Sequence, residues 1–147
     1  MSFRLINNIP VVTAKLQREA KRLVRDTGAR IKQTAIDSIE EGDKSGRIYL
    51  KGKAPKMGKR GKKLKDRRKE HIASAPGEPP ATDSGQLVGS IDYEMTGEAS
   101  AVVGTNVEHG MHTEFGTSRG MAPRPWLGPA FEEATESFEQ GLKELLK

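Results

Sequence analysis

Between Lys51 and Glu70 lie eleven Lys and Arg residues against two carboxylates, a net charge of +9 within twenty residues. The run is broken by Gly52, Pro55, Gly58 and Gly61 and shows little apolar periodicity. Like charges at this density repel one another and cannot be buried unpaired. The segment is therefore expected as an exposed loop or arm, and the folded body must be built from what flanks it. The remainder of the chain carries −4, so the overall +5 conceals a strong asymmetry. Only 34% of the 147 residues are apolar and 31% are charged. That allows one modest core, in a single domain over 1–147 with 51–85 as a long basic and Pro-rich arm.

Before the run, Val12, Leu16, Ala20, Leu23, Thr27, Ile31 and Ala35 recur at spacings of three and four. This predicts a helix from about Pro10 to Glu41, roughly 45 Å long at about 1.5 Å per residue. Pro10 suits its start and Gly42 its end. Gly28, inside it, marks a bend or a close contact. So long and thinly apolar a helix spans the edge of the domain or reaches a neighbour. Ser45–Lys51 reads as a short strand after a turn.

After the run, Pro76, Pro79 and Pro80 impose extended chain, and Asp83-Ser84-Gly85 begins a turn or cap. Gln86–Ile91 reads as one helical turn entering a strand. Ile91, Tyr93 and Met95 alternate with polar residues, Gly97-Glu98 turns the chain, and Ala99, Ala101 and Val103 alternate in return: a β-hairpin. Met111–Phe115 is expected as a short strand or turn, and Thr117–Pro125 as a Gly/Pro loop. Leu127, Phe131, Ala134, Phe138, Leu142 and Leu145 then mark a final helix beginning at Pro125 or Pro129, acidic at its start and basic at its end. The fold class is α+β: a long N-terminal helix, a small antiparallel sheet, a C-terminal amphipathic helix packed on that sheet, and a long basic loop.

Chemical constellations are sparse. The absence of cysteine removes disulfides, thiol catalysis and cysteine metal sites, and fits synthesis inside the cell. The N-terminus lacks signal-peptide anatomy, and no segment approaches the roughly 20 apolar residues of a membrane span. His109 and His112 stand near Glu108 and Glu114, but no second cluster at ligand spacing accompanies them, and His71 stands apart. No nucleophile elbow occurs, and Lys56–Lys63 lacks the Gly-Lys-Ser/Thr ending of a phosphate loop. Asp83 suits a turn or cap, and Glu114 an ion pair with a nearby Arg. No acid–base pair is present, so neither an enzyme nor a cofactor or metal is expected. The basic residues Lys51, Lys53, Lys56, Lys59, Arg60, Lys62, Lys63, Lys65, Arg67, Arg68 and Lys69 admit two readings. They contact a polyanion or an acidic partner, or they form a solvated arm. No aromatic residue interleaves them, so base stacking is not expected and any nucleic-acid contact would be independent of sequence.

Four segments follow one another in a telling order: Ser74-Ala-Pro-Gly-Glu-Pro-Pro-Ala81, Asp83-Ser-Gly-Gln-Leu87, Glu114-Phe-Gly-Thr117 and Pro123-Arg-Pro-Trp-Leu-Gly-Pro-Ala130. Their order and spacing resemble the neck and tail-completion proteins that join head to tail in long-tailed bacteriophages and prophages. The resemblance covers about Gly46 to Lys147 together with an N-terminal helix. Ser84 replaces the usual Thr, Trp126 replaces the usual Phe, and the basic insert is richer than the pattern. The resemblance implies a non-catalytic subunit, made in the bacterial cytoplasm and located in the virion, that forms a closed ring, hexameric as the first expectation and dodecameric as the second. Its implied partners are portal-side connector or head-completion proteins on one side and the tail terminator and tube on the other, with no membrane. Genomic DNA would pass through the ring near the basic run. Phe115, Gly116, Pro125, Trp126 and Leu127 are the expected structural anchors, with Phe115 a buried aromatic beside a glycine that permits close backbone approach. The loops 51–85 and 117–125 are the expected intersubunit contacts. The alternative is a small basic nucleic-acid-binding protein without sequence specificity.

Overall fold

A computed structural model describes residues 9–54, 66 and 68–147, with side chains from Val12 onward. The N-terminal periodicity yields α1, Ile9–Glu41, 33 residues and about 50 Å long. Gly42 follows its last turn and donates its N–H to Ser38 O at 3.1 Å. A first hairpin pairs β1 (Ile48–Lys51) with β2 (Lys69–Ile72), and the basic segment lies between the two strands. The short helix α2 (Gln86–Ser90) leads into a second hairpin of β3 (Ile91–Gly97) and β4 (Ser100–Thr105). Helix α3 (Glu108–Phe115) and helix α4 (Gly128–Leu145) complete the fold.

The α+β class and its elements agree with the pattern of the sequence, with four corrections. The expected small sheet is two separate two-stranded hairpins. The expected loop or arm 51–85 contains β2, whose Lys-Glu-His-Ile sequence carries no strand periodicity and is ordered by pairing Ile72 with Ile48 and His71 with Tyr49. The expected strand or turn at Met111–Phe115 belongs to α3. Gly110 there reads as a turn residue, yet it is buried, and an added Cβ would lie 2.5 Å from Thr105 Cγ2 and 3.0 Å from Leu87 Cδ1. Packing therefore selects the glycine.

The fourth correction concerns α4, whose main support is α1 and not the sheet. The reason lies in its small residues. Ala130 and Ala134 are buried, Ser137 accepts a hydrogen bond from Arg30 Nη1 at 2.9 Å, and a Cβ on Gly141 would lie 2.6 Å from Leu23 Cδ1. This stripe of Ala, Ser and Gly lets the two helices approach closely, and the pairing of Ser137 with Arg30 and Gly141 with Leu23 sets them antiparallel. The second hairpin lies on α1 beside α4, with Tyr93 against Gly28, so the glycine marks a close contact.

The buried core joins Ile31, Ala35 and Ile39 of α1 to Leu87, Ile91, Trp126, Ala130 and Ala134. Burial along α1 is confined to its second half, from Gly28 onward. Val12 and Leu16, on the same stripe, remain 53% and 40% exposed. The first turns of α1 thus extend past the body with their apolar side uncovered.

Candidate interaction surface

Three of the four motif segments, Ser74–Ala81, Glu114–Thr117 and Pro123–Ala130, are tied together by hydrogen bonds. Gly77 N–H donates to Pro123 O at 2.9 Å, Arg124 Nε to Ser74 O at 3.3 Å, and Arg124 N–H to Thr113 O at 2.7 Å. Glu78 closes the adjoining loop. Its carboxylate accepts from Ala75 N–H at 2.7 Å, from Ser45 N–H at 2.9 Å and from the Ser45 hydroxyl. These bonds, the Ser45 hydroxyl first and the two amides next, hold the Glu78 carboxyl at a pKa of about 2.

Glu114 is not the ion-pair partner its sequence suggests. Its two oxygens accept the N–H groups of Trp126, Leu127 and Gly128 at 2.8, 2.9 and 2.8 Å. Those donors stand at the entrance to α4, where helix geometry leaves amides without partners and where negative charge is favoured. Trp126 is 2% exposed, and its Nε1–H donates to Gly110 O at 3.2 Å, joining α4 to α3. Leu127 packs against the core and Pro125 is half-buried, so the Pro-Trp-Leu entry does anchor the last helix. Gly116 has φ +76, and a Cβ there would meet Met121 O at 2.5 Å. Its close-approach role holds. Phe115 does not fill the role of a buried aromatic. It is 75% exposed, because the end of α3 turns it away from the core.

Phe115 belongs to a different feature. A groove of about 1200 Å³ runs along α1 between β4 and α4, with α3 closing one end. Val24, Gly28 and Ile31 form its floor, Val103 one wall, and Phe131 and Phe138 the other. Phe131 and Met111 are 60% and 59% exposed. The surface is mostly apolar, with Thr27 and Thr135 along it and the carboxylates Glu108 and Glu139 toward its two ends.

The basic residues divide. Lys51, Lys53, Arg68 and Lys69 are described; Lys56, Lys59, Arg60, Lys62, Lys63, Lys65 and Arg67 lie outside the described residues. Lys51 and Lys69 sit opposite one another where the strands of the first hairpin end. Lys51 forms an ion pair with Asp83, so Asp83 serves that hairpin, while the Ser84 hydroxyl accepts the Gln86 N–H at the start of α2. Arg68 pairs with Asp66 through two nitrogens. Both carboxyls are held below their ordinary values, Asp83 first by its hydrogen bond to Lys51 and Asp66 first by its hydrogen bond to Arg68.

The hairpin itself is bare. Ile48, Leu50 and Ile72, which share one face, are 60%, 42% and 43% exposed, and the Tyr49 and His71 rings meet at a tilt across the other face, their centroids 5.0 Å apart. Among the described residues no three His, Cys, Asp or Glu side chains stand close enough to hold a metal ion. No helix among them is long and apolar enough to cross a membrane.

Sequence reasoning located the anchoring tryptophan and glycine. It missed the groove, whose signal was the second stripe of α4: Phe131, Thr135 and Phe138 lie off the Ala130/Ala134 side that packs on α1. No protein-family model, curated protein or solved structure matches the chain.

Proposed function

We propose that this protein is a non-catalytic assembly subunit that forms a closed homo-oligomeric ring, and that the ring is a neck or tail-completion component of a long-tailed bacteriophage particle. One observation carries the assembly reading. Among the described residues, seven of the twelve large apolar side chains that remain exposed lie on the groove (Met111, Phe115, Phe131) or on the first hairpin (Ile48, Tyr49, Leu50, Ile72), a clustering expected of a surface meant for a partner. The phage reading is supported by the order of the four motif segments, three of which form one hydrogen-bonded frame in this chain. In such a ring the subunit would bridge the portal-side connector or head-completion proteins and the tail terminator and tube, and its site in the cell's products is the virion.

The basic segment is assigned to the DNA path or to an acidic neighbouring subunit. Replacing Lys59, Arg60, Lys62 and Lys63 by Glu should impair particle assembly or genome retention, whereas unchanged particles and titre would remove that assignment. Negative-stain microscopy of the purified chain tests the ring. Closed rings, or co-purification with tails, support it. A monodisperse protein without rings that binds DNA with a steep dependence on salt would instead support the basic nucleic-acid-binding alternative, which the opposed Lys51 and Lys69 favour.

A further inference from the structure

We infer that the groove between β4 and α4 is the seat of the β1–β2 hairpin of a second copy of this chain, so that β1 of one copy pairs with the free edge of β4 in the next. The inference rests on the homo-oligomeric reading above and names its contact.

The first argument is the shape of the layers. Two helices packed side by side, each about 10 Å across, present a layer roughly 20 Å wide. Strands are spaced by about 4.8 Å, so the β3–β4 hairpin covers only about half of that width. It covers the α1 side. The uncovered half is the groove, where α4 presents the exposed Phe131 and the half-buried Phe138. Two further strands would complete the layer, and a two-stranded hairpin supplies two.

The second argument is the character of β4. A strand that lined the groove with one face would contribute alternate residues. Here Ser100, Ala101, Val103, Gly104 and Thr105 all line it, so the edge of the strand faces the opening. Among the described residues, no backbone hydrogen bond joins Ser100–Thr105 to any segment other than β3, nor Ile48–Lys51 to any segment other than β2. Both strands therefore offer a free ladder, the condition for strand addition.

The third argument is the occupant. An isolated two-stranded hairpin is at best marginally stable in water. This one holds Ile48, Leu50 and Ile72 on one face, each exposed to solvent. Of its strands, the Ile-Tyr-Leu of β1 suits the apolar groove better than the Lys-Glu-His of β2. Seated in the groove, Ile48 and Leu50 turn toward Phe131 and Phe138, and Lys51 and Lys69 come to one end of it, where one of the lining carboxylates, Glu108 or Glu139, stands. The hairpin of the same chain is rooted elsewhere. Its base is held by Gly46 N–H to Ala73 O at 2.9 Å, just beyond the end of α1. That end lies about 15 Å along the helix axis from Ile31, on the far side of the groove floor. A neighbour's hairpin has no such tether. A hairpin given to one neighbour and a groove offered to the other is a heterologous contact, the kind that closes into rings.

The chain has no cysteine, which makes the contact directly testable. Full-length proteins carrying Ile48→Cys or Leu50→Cys are mixed with proteins carrying Ala101→Cys or Val103→Cys and oxidised. Each protein has one thiol, so every mixed product links two copies. A disulfide needs Cα atoms within about 7 Å, and the four pairings span the possible registers. The expected result is a mixed dimer as the dominant product of at least one pairing, with little from Val102→Cys, which does not line the groove. If native mass spectrometry shows oligomers while all four pairings link no better than the Val102→Cys control, the hairpin–groove contact is wrong and the assembly reading survives. If a double variant such as Leu50→Cys/Val103→Cys links within one chain, the occupant is the chain's own hairpin and the inference fails. If no oligomer forms at any concentration, the assembly reading fails and takes the inference with it.

Discussion

The motif frame around Trp126 and the β1–β2 hairpin are built on opposite terms. In the frame, segments distant in sequence are bound through backbone amides and carbonyls, a carboxylate closes the start of α4, and the largest side chain is 2% exposed. In the hairpin, both strands are exposed along nearly their whole length, and their main contact is with one another. The frame satisfies its polar groups and buries its apolar ones without help. The hairpin leaves its apolar face in water, and on its own such a pair of strands gains little. The contrast separates residues that make this chain fold from residues that are in place for something else. The motif residues belong mainly to the first group.

Substitutions can break this contrast from either side. The largest effect is expected in the frame. Trp126→Ala removes the side chain that joins α3, α4 and the core, and should cost about 3–5 kcal/mol in denaturant unfolding. A cost within the range of a surface substitution would show that the frame is not the centre of stability. Glu114→Ala leaves three amides at the start of α4 without their acceptor and should cost about 1–3 kcal/mol, with Glu114→Gln recovering part of it. Full recovery by Gln would show that the carboxylate's charge contributes nothing beyond its hydrogen bonds.

Next comes an effect of pH. The folded pKa of Glu78 is about 2, below the ordinary value of 4.5, so its ionised form is favoured by folding. Its contribution is fully present above about 4.5 and is lost as pH falls from there through 2. Thermal unfolding followed across that window should show Glu78→Gln less stable than wild type at neutral pH, with the difference shrinking toward pH 2. A difference that stays constant would contradict the account of Glu78.

The smallest effect on folding belongs to the hairpin. Ile48→Ser combined with Leu50→Ser should change the stability of the single chain by no more than about 0.5 kcal/mol, as for other exposed positions. A large loss there would mean that the hairpin is part of the core, and the contrast would collapse.

The division also explains what the sequence made legible. Period-two alternation from Ile91 to Val103 and helical spacing in α1 and α4 are local signals, and the elements follow them. Trp126 was legible because a large aromatic directly after Pro-Arg-Pro has few places to go but inward. Glu114 was not. Its partners are backbone amides twelve to fourteen residues onward, and a backbone amide has no letter in the sequence. Strand β2 was hidden because its lysine and histidine are ordered by the strand across from it. The groove was hidden because α4 carries two apolar stripes. The larger residues suggest the buried side, while the smaller ones, Ala130 and Ala134, actually occupy it.

The central claim is that the exposed hairpin and groove exist for assembly, and sedimentation velocity of the full chain tests it most directly. Wild type should sediment as one discrete oligomer that persists on dilution to low salt and high salt alike, and the Ile48→Ser/Leu50→Ser protein, equally folded, should sediment as a monomer. A wild-type chain that remains monomeric at every concentration, or a double variant that assembles as well as wild type, would contradict it.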